Sequence, residues 1–291
     1  MVAFLLKTMD RIDEELLNVI NEEQGISIEL VDKTYDVYNK LVSAIANNKE
    51  IKSCDIQGVK YKEGYLEYKD FFGYNIIIEY YFYNFLSKEC FKDSFKKVNN
   101  ICRVKNKLIL QITVFAISVG ILKEHLLDGL SHELEHIFQY NKANKIFASS
   151  NLYNISVNIK QRYPKQSYEY CVADAIYISW KFEQDAYFQS LYIELMNCRL
   201  IDSFRETLFG SDIYNALRAL KIHLNDIEYF GYIPSLFQDK KYSYKKLVND
   251  CKNAMENIQW KMARVYNKAL NDYREKYITD EKFSYGNKKF V

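Results

Sequence analysis

Residues 131–139 read SHELEHIFQ, and this stretch contains two of the chain's four histidines. They are His132 and His136, and Glu133 directly follows the first. A random chain of this composition would contain H-E-x-x-H about 0.004 times. On an α-helix, residues four positions apart lie on one face, so both imidazoles can reach one metal ion. Glu133 lies about 100° further around the helix and can accept a proton from water that the metal activates. The pattern predicts a catalytic zinc site.

The surrounding sequence predicts the helix that such a site requires. Residues 123–145 read KEHLLDGLSHELEHIFQYNKANK, and apolar side chains recur in them every three or four positions. Gly129 is the one weak helix former in this stretch. The apolar stripe consists of Leu126, Leu127, Leu130, Leu134, Ile137 and Phe138, with Tyr140 beyond.

Catalytic zinc usually has three protein ligands and one water, so the histidines need a third protein ligand. The extended pattern H-E-x-x-H-x-x-G-x-x-H fails here, because Gln139 and Lys142 occupy its glycine and third histidine positions. His125 lies about 10 Å along the helix from His132, which is too far to share a metal. His223 is possible as the third ligand but has no motif to support it.

A carboxylate from a downstream helix remains as the third ligand. We expect one long helix over residues 166–198, and Glu183 is favoured within it. Ala186, three positions later, would let this helix approach the motif helix closely. Glu169 lies on nearly the same helix face, so periodicity alone leaves it as an alternative. The acidic residues offered by this segment are Glu169, Asp174, Glu183 and Asp185.

H-E-x-x-H at 132–136 and an E-x-x-A helix start at Glu183 resemble the gluzincin branch of zinc metallopeptidases, in particular its HtpX-like and ImmA/IrrE-like members. The resemblance covers about residues 106–195. It implies a zincin-like fold, with a mixed sheet, the motif helix behind it and a mainly helical second lobe. It also implies Zn²⁺ as the cofactor and a substrate bound along an edge strand, here residues 106–118.

The sequence departs from this family at one position. Four residues after the ligand glutamate, related enzymes often carry Asp, or Asn in the ImmA/IrrE type, and the acid can hold a ligand histidine in place. This chain has Tyr187 there. Either the tyrosine hydroxyl takes part, or Asp185 or another acid substitutes, or the third ligand is a different residue.

The predicted activity is zinc-dependent endopeptidase action on a protein or peptide substrate, with Glu133 as general base. An oxyanion stabiliser is also expected. Its candidates are His223, which has Asp226 three residues later, and Tyr232. The alternative is a zincin-fold binding or assembly protein with a non-catalytic metal site. The presence of Glu133 argues against it, because a structural clamp needs no base.

Composition excludes some other classes of function. The chain has 291 residues, of which 48% are apolar, so it can bury a substantial core. A net charge of +2 gives no electrostatic case for nucleic-acid binding. The apolar stretch 108–122 is shorter than the ~17–25 residues that span a bilayer, so no membrane association is expected. The six cysteines form no C-x-x-C pair and indicate reduced thiols and a cytoplasmic location.

The order of elements predicts an α+β fold in two parts. An N-terminal α/β lobe, residues 1–150, would carry the H-E-x-x-H helix, and a helical C-terminal lobe, residues 151–291, would carry the third ligand. The N-terminal elements are expected to be helices at 3–22 and 26–48, a β segment at 58–70 with a turn at Glu63–Gly64, a strand at 74–86, a short helix near 87–99 and a strand at 106–118. Further helices are expected near 211–229 and 242–278.

Overall fold

The structure, a computed structural model, describes residues 26–53, 60–84, 98–104, 107–116, 119–143, 151–198, 200–229 and 244–285. It is a mixed α+β protein, as predicted, and it divides into two compact units. One unit is Ser27–Asn144, and the other includes Lys145–Val291. The predicted helix at 3–22 lies outside the described residues, as does most of the short helix predicted near 87–99.

The first unit consists of a five-stranded sheet and two helices. The strands lie in the order β1-β2-β3-β5-β4. β3 and β5 are parallel, and the other neighbouring strands are antiparallel, so the sheet is mixed. The elements are α1 (Ile28–Asn47), β1 (Lys52–Ser53), β2 (Lys60–Phe71), β3 (Tyr74–Asn84), β4 (Val98–Val104), β5 (Lys107–Ala116) and α2 (Val119–Ala143).

β5 confirms the strand predicted at 106–118, but its position in the sheet differs from the prediction. It pairs with β3 on one side and with β4 on the other, so it is an interior strand and the expected edge is wrong. β4 is instead the last strand on this side within the described part of the sheet. β4 also includes Val98 and Asn99, where the sequence predicted the end of a helix. The conformation of this segment depends on pairing with a strand from another part of the chain, and local periodicity does not reveal such pairing.

β2 continues without interruption through Gly64, where the sequence predicted a turn. Gly64 is paired with Tyr80 of β3, and a Cβ atom at Gly64 would lie 2.5 Å from the Tyr80 hydroxyl oxygen. The glycine therefore makes room for an aromatic ring on the neighbouring strand. The chain reverses at Phe72 and Gly73, whose φ angles are 50° and 85°.

The apolar stripe of α2 is buried, and this burial orients the motif. α1 contacts α2 and β2, while α2 also contacts β5 and β4. Each fully buried Leu or Ile side chain contributes roughly 1.5–3 kcal/mol, so the stripe fixes the rotation of α2 about its own axis. The buried residues are Leu30, Val37, Leu41 and Ile45 on α1 and Leu126, Leu127, Leu130, Leu134 and Ile137 on α2.

The described residues of the second unit form helices and no strand, as the sequence predicts for the chain beyond residue 150. Helices near 211–229 and 242–278 are confirmed. Among the described helices, none combines the length and apolarity needed to cross a lipid bilayer. The helices are α3 (Asn151–Arg162), α4 (Tyr168–Ile178), α5 (Lys181–Met196), a 3₁₀ turn (Ile201–Ser203), α6 (Phe204–Gly210), α7 (Asp212–Tyr229) and α8 (Tyr244–Tyr285).

The single helix predicted over 166–198 is wrong, because the chain breaks between α4 and α5. Trp180 adopts an extended conformation, with ψ at 126°, and its ring is buried. The Trp180 ring packs against the rings of Tyr153 and Phe182, with centroids 5.0 and 5.3 Å away. The Gln184 amide then donates to the Ser179 carbonyl at 3.0 Å, which satisfies a carbonyl left open by the end of α4.

Polar side chains join α5 to α8 along both helices. Asn257 Nδ2 donates to Gln184 Oε1 at 3.1 Å, and Lys261 Nζ contacts Asp185 Oδ1 at 2.7 Å. Further along, the Tyr192 hydroxyl donates to Asp272. These bonds begin directly after Glu183, so they fix the first turn of α5 from which that residue projects.

Candidate metal centre

The two histidines of the motif lie one turn apart on α2, and both are half-buried. Their Nε2 atoms are 3.2 Å apart, and their ring planes are nearly perpendicular at 89°. A tetrahedral zinc ion with Zn–N bonds of about 2.0–2.1 Å separates two nitrogen ligands by about 3.3–3.4 Å. The nitrogen pair therefore has the spacing that one zinc ion needs.

Gln139 sets the protonation pattern of one histidine. Its side chain is buried on α2, and its Oε1 lies 3.1 Å from His136 Nδ1. An amide oxygen can only accept a hydrogen bond, so Nδ1 of His136 is the donor. The neutral ring then carries its lone pair on Nε2, the nitrogen that lies beside His132. A metal ligand must present this lone pair, so the contact favours metal binding.

Glu183 lies in the first turn of α5 and is only 3% exposed. The hydroxyl of Tyr177, in the last turn of α4, donates to Glu183 Oε1 at 2.5 Å. A buried carboxylate is costly unless it is hydrogen-bonded or bound to a cation. The tyrosine supplies one strong hydrogen bond to this carboxylate.

His132, His136 and Glu183 form one group that could hold a metal ion. Each offers one ligand atom, and these atoms all lie within 4.8 Å of one another. Ligand atoms around one tetrahedral zinc ion lie about 3.3–3.5 Å apart, and the limit of 4.8 Å is somewhat above that spacing. Two imidazoles and one carboxylate are also the donor set of many catalytic zinc sites, in which a fourth position stays open. The residues present therefore fit a bound zinc ion.

Tyr177 is itself held by charged and aromatic neighbours. Lys160 Nζ lies 4.3 Å from the centre of its ring and forms an ion pair with Asp174 at 2.6 Å. Burial and the adjacent Glu183 carboxylate raise the pKa of Tyr177 well above its usual range. The hydroxyl is therefore protonated near neutral pH and remains a donor to Glu183.

Glu133, the predicted base, lies on α2 beside His132 and is half-buried. It is not one of the three residues of the metal group. The buried apolar stripe fixes the rotation of α2 about its axis, and this rotation determines the side of the helix on which Glu133 lies. The role of Glu133 as general base stays a prediction.

The other residues singled out in the sequence lie elsewhere. Glu169, the alternative ligand, is half-buried in the first turn of α4 and is not part of the group. His223 is half-buried on α7, where its ring meets the edge of Tyr168 at 5.6 Å. Tyr232 lies outside the described residues.

The departure at Tyr187 also has a structural counterpart. Asp185, considered as a substitute acid, contacts Lys261 of α8 and so links α5 to α8. A tyrosine hydroxyl does donate to Glu183, but it belongs to Tyr177 on the preceding helix. Sequence reasoning missed Tyr177 because the helix break brings it to Glu183. It also missed Gln139, which the i+3 spacing from His136 could have revealed.

Comparison of the chain with protein-family models, with curated proteins and with solved structures finds no match. A functional proposal for this chain therefore rests on its own residues and their geometry.

Proposed function

We propose that the protein is a zinc-dependent endopeptidase of zincin-like fold. The observation that carries this proposal is the group of His132, His136 and Glu183, with the two Nε2 atoms 3.2 Å apart. Imidazole and carboxylate ligands in this combination are typical of catalytic zinc and rare in purely structural sites, which favour cysteine. Glu133 completes H-E-x-x-H and gives the group a base.

A bound zinc ion would lower the pKa of a water molecule and polarise a substrate carbonyl. The protein residues would do the rest. Glu133 would accept a proton from the attacking water and deliver it to the leaving amine when the peptide bond breaks. His132 and His136 would present neutral nitrogens, and the Gln139 contact keeps His136 in the required tautomer. His223 and Tyr232 remain candidates for stabilising the oxyanion.

A peptide substrate would add to the sheet at β4. This strand is the last one on its side of the described sheet and is antiparallel to β5. An added strand would gain backbone hydrogen bonds irrespective of its side chains, which suits an enzyme that cleaves within a polypeptide. β4 thus takes the role that the family resemblance assigned to residues 106–118.

Replacing Glu133 with glutamine tests the reaction. The Glu133→Gln variant should bind zinc as tightly as the wild type, since Glu133 is outside the metal group. It should cleave an unfolded protein or a peptide library at least 100-fold more slowly, because loss of a general base typically costs 10²–10⁴-fold in rate. Glu135→Gln is the matched control. It makes the same change two positions later on α2 and should retain cleavage.

The outcomes separate the possible functions. Full-rate cleavage by Glu133→Gln would exclude Glu133 as the base. Zinc binding by the wild type without cleavage of any peptide would favour the alternative, a binding or assembly protein with a non-catalytic metal site. Absence of zinc binding would reject the peptidase proposal altogether.

A further inference from the structure

We propose that Tyr177 is a positioning residue, whose hydroxyl holds the Glu183 carboxylate in the orientation that metal binding by the group requires. This inference rests on the proposed function, since it concerns the third ligand of that site. Its basis is the geometry around the break between α4 and α5, which the H-E-x-x-H pattern does not specify.

The break is what allows the two side chains to meet. Tyr177 and Glu183 are six residues apart, and in an unbroken helix they would lie about 120° apart around the axis and about 9 Å apart along it. They are instead joined by a hydrogen bond of 2.5 Å. The extended conformation at Trp180 turns the chain between them, and the bond from Gln184 to the Ser179 carbonyl closes that turn.

Tyr177 cannot easily move away from this position. Its ring lies among the rings of Tyr153 and Trp180, with centroids 6.1 and 6.0 Å away. Lys160 lies over the ring, and its pairing with Asp174 fixes it there. A cation above a phenol ring draws electron density from it and strengthens the hydroxyl as a donor.

The strong donor at Oε1 makes the two carboxylate oxygens of Glu183 inequivalent. This inequivalence favours a metal bond through one carboxylate oxygen over a bond through both. Monodentate binding leaves the fourth position of a tetrahedral zinc open, as catalysis requires. Loss of a hydrogen-bonded partner behind a metal ligand typically weakens metal affinity 10–100-fold.

The test compares Tyr177→Phe with Tyr170→Phe in the full-length protein. Tyr170 lies on the same helix seven residues earlier, and Lys160 also lies over its ring, 5.5 Å from the centroid. Zn²⁺ affinity is measured by competition with a chelator of known affinity. Tyr177→Phe should bind Zn²⁺ 10–100-fold more weakly, and Tyr170→Phe should match the wild type. With Co²⁺ as a spectroscopic substitute, the visible absorption band should shift only in Tyr177→Phe.

The results distinguish this inference from the proposed function. A wild-type protein that binds no Zn²⁺ contradicts the proposed function and this inference with it. Zn²⁺ binding by the wild type with unchanged affinity in Tyr177→Phe overturns only the role of Tyr177, as does equal weakening in both variants. Should Tyr177→Phe not fold, as judged by circular dichroism without metal, Lys160→Met decides the matter. It keeps the hydroxyl but removes the cation, and it should weaken Zn²⁺ binding several-fold; unchanged affinity overturns the inference.

Discussion

The two imidazole nitrogens restrict which ions suit the group. Imidazole favours Zn²⁺, Cu²⁺, Fe²⁺ and Ni²⁺, whereas Ca²⁺ and Mg²⁺ prefer oxygen ligands in sets of six or more. Only one of the three residues, Glu183, supplies oxygen. The ligand atoms therefore favour a first-row transition metal, and Zn²⁺ is the member of this group that the proposed peptidase would use.

The choice between Glu183 and Glu169 as the third ligand can be tested at the level of single residues. Glu183→Gln removes a charged ligand and should lower Zn²⁺ affinity by at least 10-fold, whereas Glu169→Gln should leave it unchanged. Both variants lose one carboxylate charge. A difference in their Zn²⁺ affinities, measured by competition with a chelator, therefore reflects the position of the glutamate and not the loss of charge. A larger loss of affinity in Glu169→Gln would assign the ligand to α4 instead.

For single residues, the sequence reveals those contacts that depend on local spacing. His132 and His136 are neighbours because any helix brings positions i and i+4 together, and α2 is a helix. The E-x-x-A context favours Glu183, and this residue belongs to the group that could hold a metal ion. Tyr177 was out of reach, because its contact with Glu183 exists only where the helix stops.

Among the helices and strands, α1, α2, α7, α8, β3 and β5 were predictable, whereas β1, β4 and the break between α4 and α5 were not. Apolar periodicity located α1, α2, α7 and α8, since burial of a stripe determines each of them. The break at Trp180 follows from burial of a large ring among aromatic side chains of α3 and α5, which no local pattern reveals. The interior position of β5 likewise depends on pairing with β4, a contact between separate segments.

Gly64 offers a test of the β2–β3 pairing. Gly64→Ala would place a Cβ atom 2.5 Å from the Tyr80 hydroxyl oxygen, so the ring or a strand must shift. We expect the free energy of unfolding to fall by about 1–3 kcal/mol, the usual cost of overpacking. Gly210→Ala is the control, because a Cβ atom there would have nothing within 4 Å. Urea denaturation measures the free energy of unfolding of both variants. Equal values would show that the Tyr80 ring moves aside at little energetic cost.

At the scale of the whole molecule, metal binding should be linked to folding. His132 and Glu183 are far apart in the chain, so only the folded protein presents them as one group. Any ligand that binds the native state alone stabilises it by RT ln(1 + [L]/Kd), which is about 2.7 kcal/mol at a free concentration of 100 Kd. The stability of this protein should therefore depend on free zinc.

Thermal unfolding with and without metal measures this linkage. Removal of zinc by a chelator should lower the melting temperature by several degrees, and restored zinc should recover it. A His132→Ala/His136→Ala double variant should melt at the same temperature under both conditions. A chelator effect that persists in this double variant would place the stabilising metal at another site.

The break between α4 and α5 brings together two residues that are close in sequence, and this has a consequence for how the site is inherited. Tyr177 and Glu183 lie within one seven-residue stretch, so recombination would pass both to a descendant together, whereas His132 and Glu183 could be separated. With the proposed roles, loss of the Tyr177 hydroxyl alone would weaken the site, and so would loss of the Glu183 carboxylate alone. Divergent homologues should thus retain the tyrosine and the glutamate as a pair, or lose both, and the pair would mark the lineage of this site even where the rest of the chain has become unrecognisable.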